Sequence, residues 1–144
     1  MTDTPSLLLD HSIKHIFIEP GEHTLAFVCE GGMVVEWEAE GDCCSETWFA
    51  DILNPEAINS GGAVVLSVEE IPNIVAVDDG RGRQDSDQFY GVKITTVLGT
   101  CTIIYRNSSN GYYGGNYSES QTFHPEMIPP KYISYKKIVT DWQA

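Results

Sequence analysis

Thr24-Leu25-Ala26-Phe27-Val28-Cys29, Glu30-Gly31-Gly32 and Met33-Val34-Val35-Glu36-Trp37-Glu38-Ala39-Glu40 follow one another and decide the fold of this chain. Two runs of β-branched and aromatic residues on either side of a Gly-Gly pair read as an antiparallel hairpin. Such side chains suit a pleated surface, and glycine adopts the turn conformations that other residues resist. In the second run Val35, Trp37 and Ala39 alternate with Val34, Glu36, Glu38 and Glu40. That period of two predicts one buried face and one face bearing a row of carboxylates.

Working outward, Ile13-Lys14-His15-Ile16-Phe17-Ile18 is a strand stopped by the turn Glu19-Pro20-Gly21. Phe89 to Leu98 and Thr100 to Arg106, joined through Gly99, form a second hairpin. Thr47 to Leu53 alternates as a strand, with a short helix as the other reading. Ala63 to Val68 reads as a strand with two apolar faces, central to the sheet and ended by Pro72. Asn54-Pro55-Glu56-Ala57-Ile58-Asn59, closed by Ser60-Gly61-Gly62, leaves room for a turn or two of helix. Residues 78–88 hold no apolar side chain and are expected to be a mobile loop. Residues 107–117, rich in turn formers yet holding three tyrosines, read as a wide loop. The expected fold is therefore mainly β: a single small antiparallel β-sheet domain over residues 1–118, a sandwich or half-barrel with at most one or two short helices. Residues 119–144 are too proline-rich for a sheet interior and too apolar for a free tail, so an extended tail packed on that domain is expected.

The 144 residues, 42% of them hydrophobic, suit one domain that buries its own core. Eight Lys and Arg against 21 Asp and Glu leave a formal charge of −13, which argues against direct contact with nucleic-acid phosphates. The longest apolar run near the start, Leu7-Leu8-Leu9, is far short of a signal core or membrane span, so a cytoplasmic protein is expected. In that compartment Cys29, Cys43, Cys44 and Cys101 are read as thiols. Oligomeric state, monomer or homodimer, is open.

Charge is unevenly placed. Between Lys14 and Arg81 there is no Lys or Arg, while fourteen carboxylates occur, and residues 129–144 carry three lysines and one aspartate. Strand carboxylates two residues apart project from one face at ~6.6 Å, close to the charge repeat of one nucleic-acid strand. Glu36, Glu38 and Glu40, continued by Asp42, Glu46 and Asp51, are the candidate partner-binding residues, an acidic face for a partner protein with a basic surface. The competing reading is a solvated face kept charged against edge-to-edge aggregation.

Gly41-Asp42-Cys43-Cys44-Ser45-Glu46-Thr47-Trp48 is the most specific short motif. Zinc sites separate their cysteines by two to four residues, and a reactive thiolate needs nearby cations, whereas Asp42 and Glu46 flank this pair. Packing is the better reading, and no metal, cofactor or catalytic residue is assigned. Asp78-Asp79-Gly80-Arg81-Gly82-Arg83 sets two cations where a calcium loop needs oxygen ligands.

The order of an Ile-rich opening strand, Glu40 to Glu46 with its Asp-Cys-Cys centre, Phe89-Tyr90-Gly91-Val92-Lys93-Ile94 and Arg106-Asn107-Ser108-Ser109-Asn110-Gly111-Tyr112-Tyr113 resembles a family of small uncharacterised proteins encoded mainly by bacteriophages. The likeness covers roughly residues 13–117 and carries no activity. It implies a non-enzymatic phage accessory protein in the host bacterial cytoplasm, one that binds and inhibits a host defence protein through its acidic surface as a nucleic-acid mimic, in the manner of an anti-CRISPR. The alternative is a small-molecule or nucleotide sponge whose pocket is lined by Cys43, Cys44, Trp48, Tyr112 and Tyr113.

Overall fold

The computed structural model describes residues 5–41, 45–71, 86–109, 115–125 and 127–144. Among the described residues ten strands form: β1 Ile13–Ile18, β2 Thr24–Cys29, β3 Met33–Gly41, β4 Ser45–Leu53, β5 Ser67–Ile71, β6 Ser86–Thr96, β7 Gly99–Ser109, β8 Gly115–Phe123, β9 Lys136–Ile138 and β10 Trp142–Gln143. Short 3₁₀ turns stand at Glu30–Gly32, Pro55–Ala57 and Pro130–Ser134. The strands make two five-stranded sheets, in the order β8-β3-β2-β1-β9 (sheet 1) and β10-β4-β7-β6-β5 (sheet 2). The pairings described between named strands are antiparallel. Mainly β and antiparallel, the molecule is the sandwich of the two architectures expected.

The core lies between the sheets. Ile16, Leu25, Phe27, Val35 and Trp37 of sheet 1 share one buried cluster with Phe49, Ile52, Val92, Ile94, Ile103 and Tyr105 of sheet 2. Each such side chain contributes about 1.5–3 kcal/mol on leaving water. A file of rings crosses from one sheet to the other: Phe27 on Trp37 at 4.8 Å, Trp37 on Tyr117 at 4.4 Å, Tyr117 against Tyr105 at 5.7 Å and Tyr105 on Tyr90 at 5.1 Å. The polar edge of Trp37 is satisfied inside this file, since its Nε1 donates to Glu119 Oε2 at 2.9 Å. Ser6 Oγ and Leu7 N donate to the same carboxylate at 2.5 and 3.0 Å, which holds the N-terminal segment and seats Leu8 in the core.

Sheet 1 has a second apolar face. Phe17, Ala26, Val28 and Val34 alternate with the core residues and point away from sheet 2, where they form a separate buried cluster with Tyr132. The cover is the segment after β8. His124 N donates to Gly32 O at 2.6 Å, the chain turns back over sheet 1, and Tyr132 stacks on Phe17 at 5.5 Å with the rings 6° apart. Then β9 adds to the free edge of β1, and β10 to the free edge of β4. The boundary drawn at 118/119 from sequence falls inside β8.

Two local expectations are corrected. Ala63 to Leu66 is not a central strand: apart from a bridge between Ser12 and Val64, pairing starts at Ser67, and β5 lies at the outer edge of sheet 2. Val65 is buried, but Val64 and Leu66 are exposed, so the run has one apolar face in use rather than two. In β4 a register shift between Phe49 and Asp51 lets both Phe49 and Ile52 face the core, which strict alternation from Trp48 does not allow. Of the expected loops at 78–88 and 107–117, residues 86–88 belong to β6, 107–109 to β7 and 115–117 to β8, while residues 72–85 and 110–114 lie outside the described residues.

Gly41 and Gly115 pair at the end of β3 and β8, where sheet 1 presses on sheet 2. A Cβ on Gly115 would stand 2.5 Å from Thr47 Oγ1 and 2.9 Å from Asn107 Cβ. Gly115→Ala is therefore expected to destabilise the fold by about 1–3 kcal/mol, the cost of overpacking a closed contact. Chemical denaturation of the two proteins measures it, and unchanged stability would show that the sheets do not close there.

Candidate functional site

The acidic row is half real. Strand alternation puts Glu36, Glu38 and Glu40 on the outer face of β3, opposite Ser120, Ser118 and Asn116 of β8. Glu38 and Glu40 are exposed. Glu36 is not, because the covering segment reaches it: Lys131 Nζ lies 2.6 Å from Glu36 Oε2, and the Tyr132 hydroxyl donates to the same oxygen. Burial works against the Glu36 carboxylate, but the Lys131 and Tyr132 hydrogen bonds and the Lys131 charge outweigh it and hold Glu36 below the usual carboxylate range. Reciprocally the hydrogen bond to Glu36 raises Lys131, and burial followed by the Glu36 contact pushes the Tyr132 hydroxyl upward. Burial first, then the charges of Glu19, Glu36 and Glu38, raise the Tyr135 hydroxyl.

Other members of the predicted face lie elsewhere. Glu46 is exposed at the start of β4, with His23 Nε2 3.4 Å from its Oε2. Asp51 is only 8% exposed, on a strand of the other sheet, which corrects its placement on an open acidic face. The fourteen carboxylates do not make one wall: Glu69 and Glu70 are on β5, Glu56 is on the turn after β4, and Glu30 Oε1 lies toward Gly61. Asp42, Asp78 and Asp79 lie outside the described residues.

The residues assigned to a pocket divide similarly. Cys43, Cys44, Tyr112 and Tyr113 lie outside the described residues. Trp48 is wholly buried rather than lining an opening, and the guanidinium of the equally buried Arg106 sits 5.2 Å from its ring centroid and 5.2 Å from that of Phe89. Asn107 and Ser108, which follow in the tyrosine motif, are strand residues of β7 and are buried. Asn107 Nδ2 donates to Thr47 Oγ1 at 2.8 Å, so this part of the motif joins β7 to β4 in an interior polar contact. The described residues that flank the two motifs are register partners, Gly41 with Gly115 and Ser45 with Ser109. Cys29 and Cys101 are buried thiols pushed up by desolvation to about 11 and about 12, which makes them small hydrophobes rather than nucleophiles.

Sequence reasoning missed Lys131 and Tyr132 as partners of Glu36. They stand 95 and 96 positions away, and the signal available was the +2 balance of the tail opposite the acidic row.

Among the described residues no group of three or more His, Cys, Asp or Glu could hold a metal ion, and no helix is long and apolar enough to cross a membrane. A family model described as Domain of unknown function (DUF7448) matches residues 6–118. An uncharacterised protein of Acanthamoeba polyphaga mimivirus is 33% identical over 78 residues, 54% of this chain and 60% of the viral protein, so the chain spans about three-fifths of that relative's length. No solved structure matches.

The Glu36 contact has a pH window. A folded pKa below the unfolded value of ~4.3 contributes stability that is present above ~4.3 and lost as pH falls through the lower folded value. Lys131 and Tyr132, both raised, set the upper limit near ~10, where their unfolded forms begin to lose protons. Tyr132→Phe keeps the ring on Phe17 and removes only the hydroxyl. It should cost about 1 kcal/mol at pH 7, the scale of one half-buried hydrogen bond, with the difference fading below ~pH 4. Melting curves of the two proteins across pH test this; a gap that persists in acid would overturn the assignment.

Proposed function

The chain belongs to the DUF7448 family, and from that premise we propose that it is a viral accessory protein that binds a host protein and inhibits it through the acidic end of the outer face of sheet 1. The observation that carries the reading is the Glu36 contact itself. This face already accepts a lysine and a tyrosine hydroxyl from a chain segment laid across it, and Glu38 and Glu40 continue the same row in solvent. Steps of ~6.6 Å along β3 match the phosphate repeat that a nucleic-acid-binding groove is built to receive. A host defence nuclease with such a groove is the partner class that fits, an anti-CRISPR-like mode of action, and a phage host would place the protein in bacterial cytoplasm. The likeness to a mimivirus protein supports a viral setting.

Binding of this kind depends on salt, because exposed charges steer association and are screened within ~8 Å at physiological ionic strength. Glu38→Gln with Glu40→Gln alters two exposed side chains, so the melting temperature should stay unchanged while affinity for the captured partner falls about tenfold. Capture from host lysate with parent and variant, at rising salt, reads this directly. A partner held equally by both proteins, and undiminished at high ionic strength, would sink the proposal.

A further inference from the structure

The other end of the same face is different in kind. Where the chain leaves β8 and turns back at His124 and Pro125, it does not close fully on sheet 1, and a cavity of about 340 Å³ remains. Val28 and Val34 form its floor, continuous with the buried cluster under Tyr132. Met127 and Ile128 stand at its mouth with 64% and 41% of their surface in water. Lys14, His15 and His124 line it as well, a gathering of cationic and protonatable groups in a protein of net charge −13. The gap exists because of Gly32: its φ is +90°, and a Cβ there would lie 2.6 Å from Pro125 Cα, so only glycine lets the chain return at this point.

We propose that this cavity binds a small organic anion with an apolar body, its charged head held by Lys14, His15 and His124 and its body laid on Val28, Val34, Met127 and Ile128. The volume lies at the lower end of the ~300–1,000 Å³ range of small-molecule sites, and the exposed lining is more polar than apolar, so the convergent polar groups set the class of ligand and the four apolar side chains give one flank for its body. The electrostatic setting agrees. Burial first, then Lys137 of the adjacent β9 and Lys14, hold the His15 imidazole below its ordinary value, so the two lysines supply the positive charge here and the ring is chiefly a hydrogen-bonding group. Of the neighbouring ionisable groups among the described residues, the Cys29 thiol is neutral, and the Glu30 carboxylate is turned toward Gly61 rather than lining the cavity; Glu126 lies outside the described residues. A bound anion would add negative charge beside His15 and draw its value up.

The test uses the full chain and four probes: octanoate and adenosine monophosphate as anions, octanol and adenosine as their neutral counterparts. The anions should move the imidazole resonances of His15 and His124, raise the melting temperature and raise the His15 titration midpoint. The neutral counterparts should not. Whichever anion binds tighter tells an aliphatic carboxylate source from an aromatic phosphate one. Lys14→Ala, at an exposed position, should weaken binding about tenfold without unfolding the protein, and His124→Ala should do the same. The inference fails if neither anion perturbs the histidines up to ~10 mM, if octanol acts as octanoate does, or if Lys14→Ala binds like the parent. None of these outcomes depends on Glu38 or Glu40, so the partner-binding reading stands or falls separately.

Discussion

A sheet with two apolar faces needs two covers. Sheet 2 supplies one for sheet 1, but Phe17, Ala26, Val28 and Val34 point the other way, and nothing in the first 118 residues that the structure describes covers them. Leaving four such side chains in water costs several kcal/mol, a large share of the ~5–15 kcal/mol by which domains of this size are stable. The C-terminal segment answers that constraint. Tyr132 stacks on Phe17, and the crossing chain then has a polar edge that must also be satisfied, which Glu36 does for Lys131 and the Tyr132 hydroxyl at once. The contact that removes Glu36 from the open row is thus a consequence of apolar burial, and the ion pair is its adjunct rather than its cause. Lys131 remains more than half exposed, where a pair of charges alone holds little.

The same logic separates what the family motifs do. Arg106, Asn107 and Ser108 open the Arg-Asn-Ser-Ser-Asn-Gly-Tyr-Tyr stretch; from sequence Arg106 ends a strand and the other two begin a loop, yet all three are buried in β7. Arginine between two aromatic rings and asparagine bonded to Thr47 are interior arrangements: they fix how β4 and β7 meet and how closely Gly115 can approach. Among described residues Asn107 Oδ1 has no hydrogen-bond partner, so this buried amide is bonded through its nitrogen. Polar residues used in this way specify a register rather than a ligand, because any shift would strand them in the interior.

Periodicity in residues 13–40 was enough to place β1, β2 and β3, and to say which side of β3 bears carboxylates, because each strand there keeps one face for the core. It was misleading in β4, where one bulged position puts Phe49 as well as Ile52 on the core side, and where Asp51, opposite Ile104 on the other face, is nonetheless buried. It was misleading again at Ala63 to Leu66, where composition suggested a central strand but the hydrogen bonds go to His11 and Thr95 instead of a continuous ladder. The covering role of residues 124–135 had no local signature. Prolines and isolated aromatics signal neither a strand nor a helix, and their meaning comes only from the hydrophobic face they meet some hundred residues earlier in the chain. For the same reason the cavity at His124 was invisible: its lining joins β1, β2, β3 and the chain after β8.

Net charge is consequently a poor guide to what this molecule presents to others. Along the outer side of β3 the sequence runs Val34, Glu36, Glu38, Glu40, from the floor of a cavity beside Lys14 and His15 to an open acidic end. Three steps of ~6.6 Å separate the extremes by roughly 20 Å, more than two screening lengths of ~8 Å at physiological salt. Between them lies the segment anchored by Tyr132 on Phe17. A macromolecule at the acidic end and a small anion at the other would scarcely sense each other through solvent. Besides the strands β2 and β3 themselves, the covering segment touches both Glu36 and the cavity wall, and so can couple the two ends. Its anchoring is therefore a point at which the two ends of the face can be made interdependent, and its composition of prolines, aromatic rings and lysines is suited to lying rigidly across a sheet rather than to following either ligand.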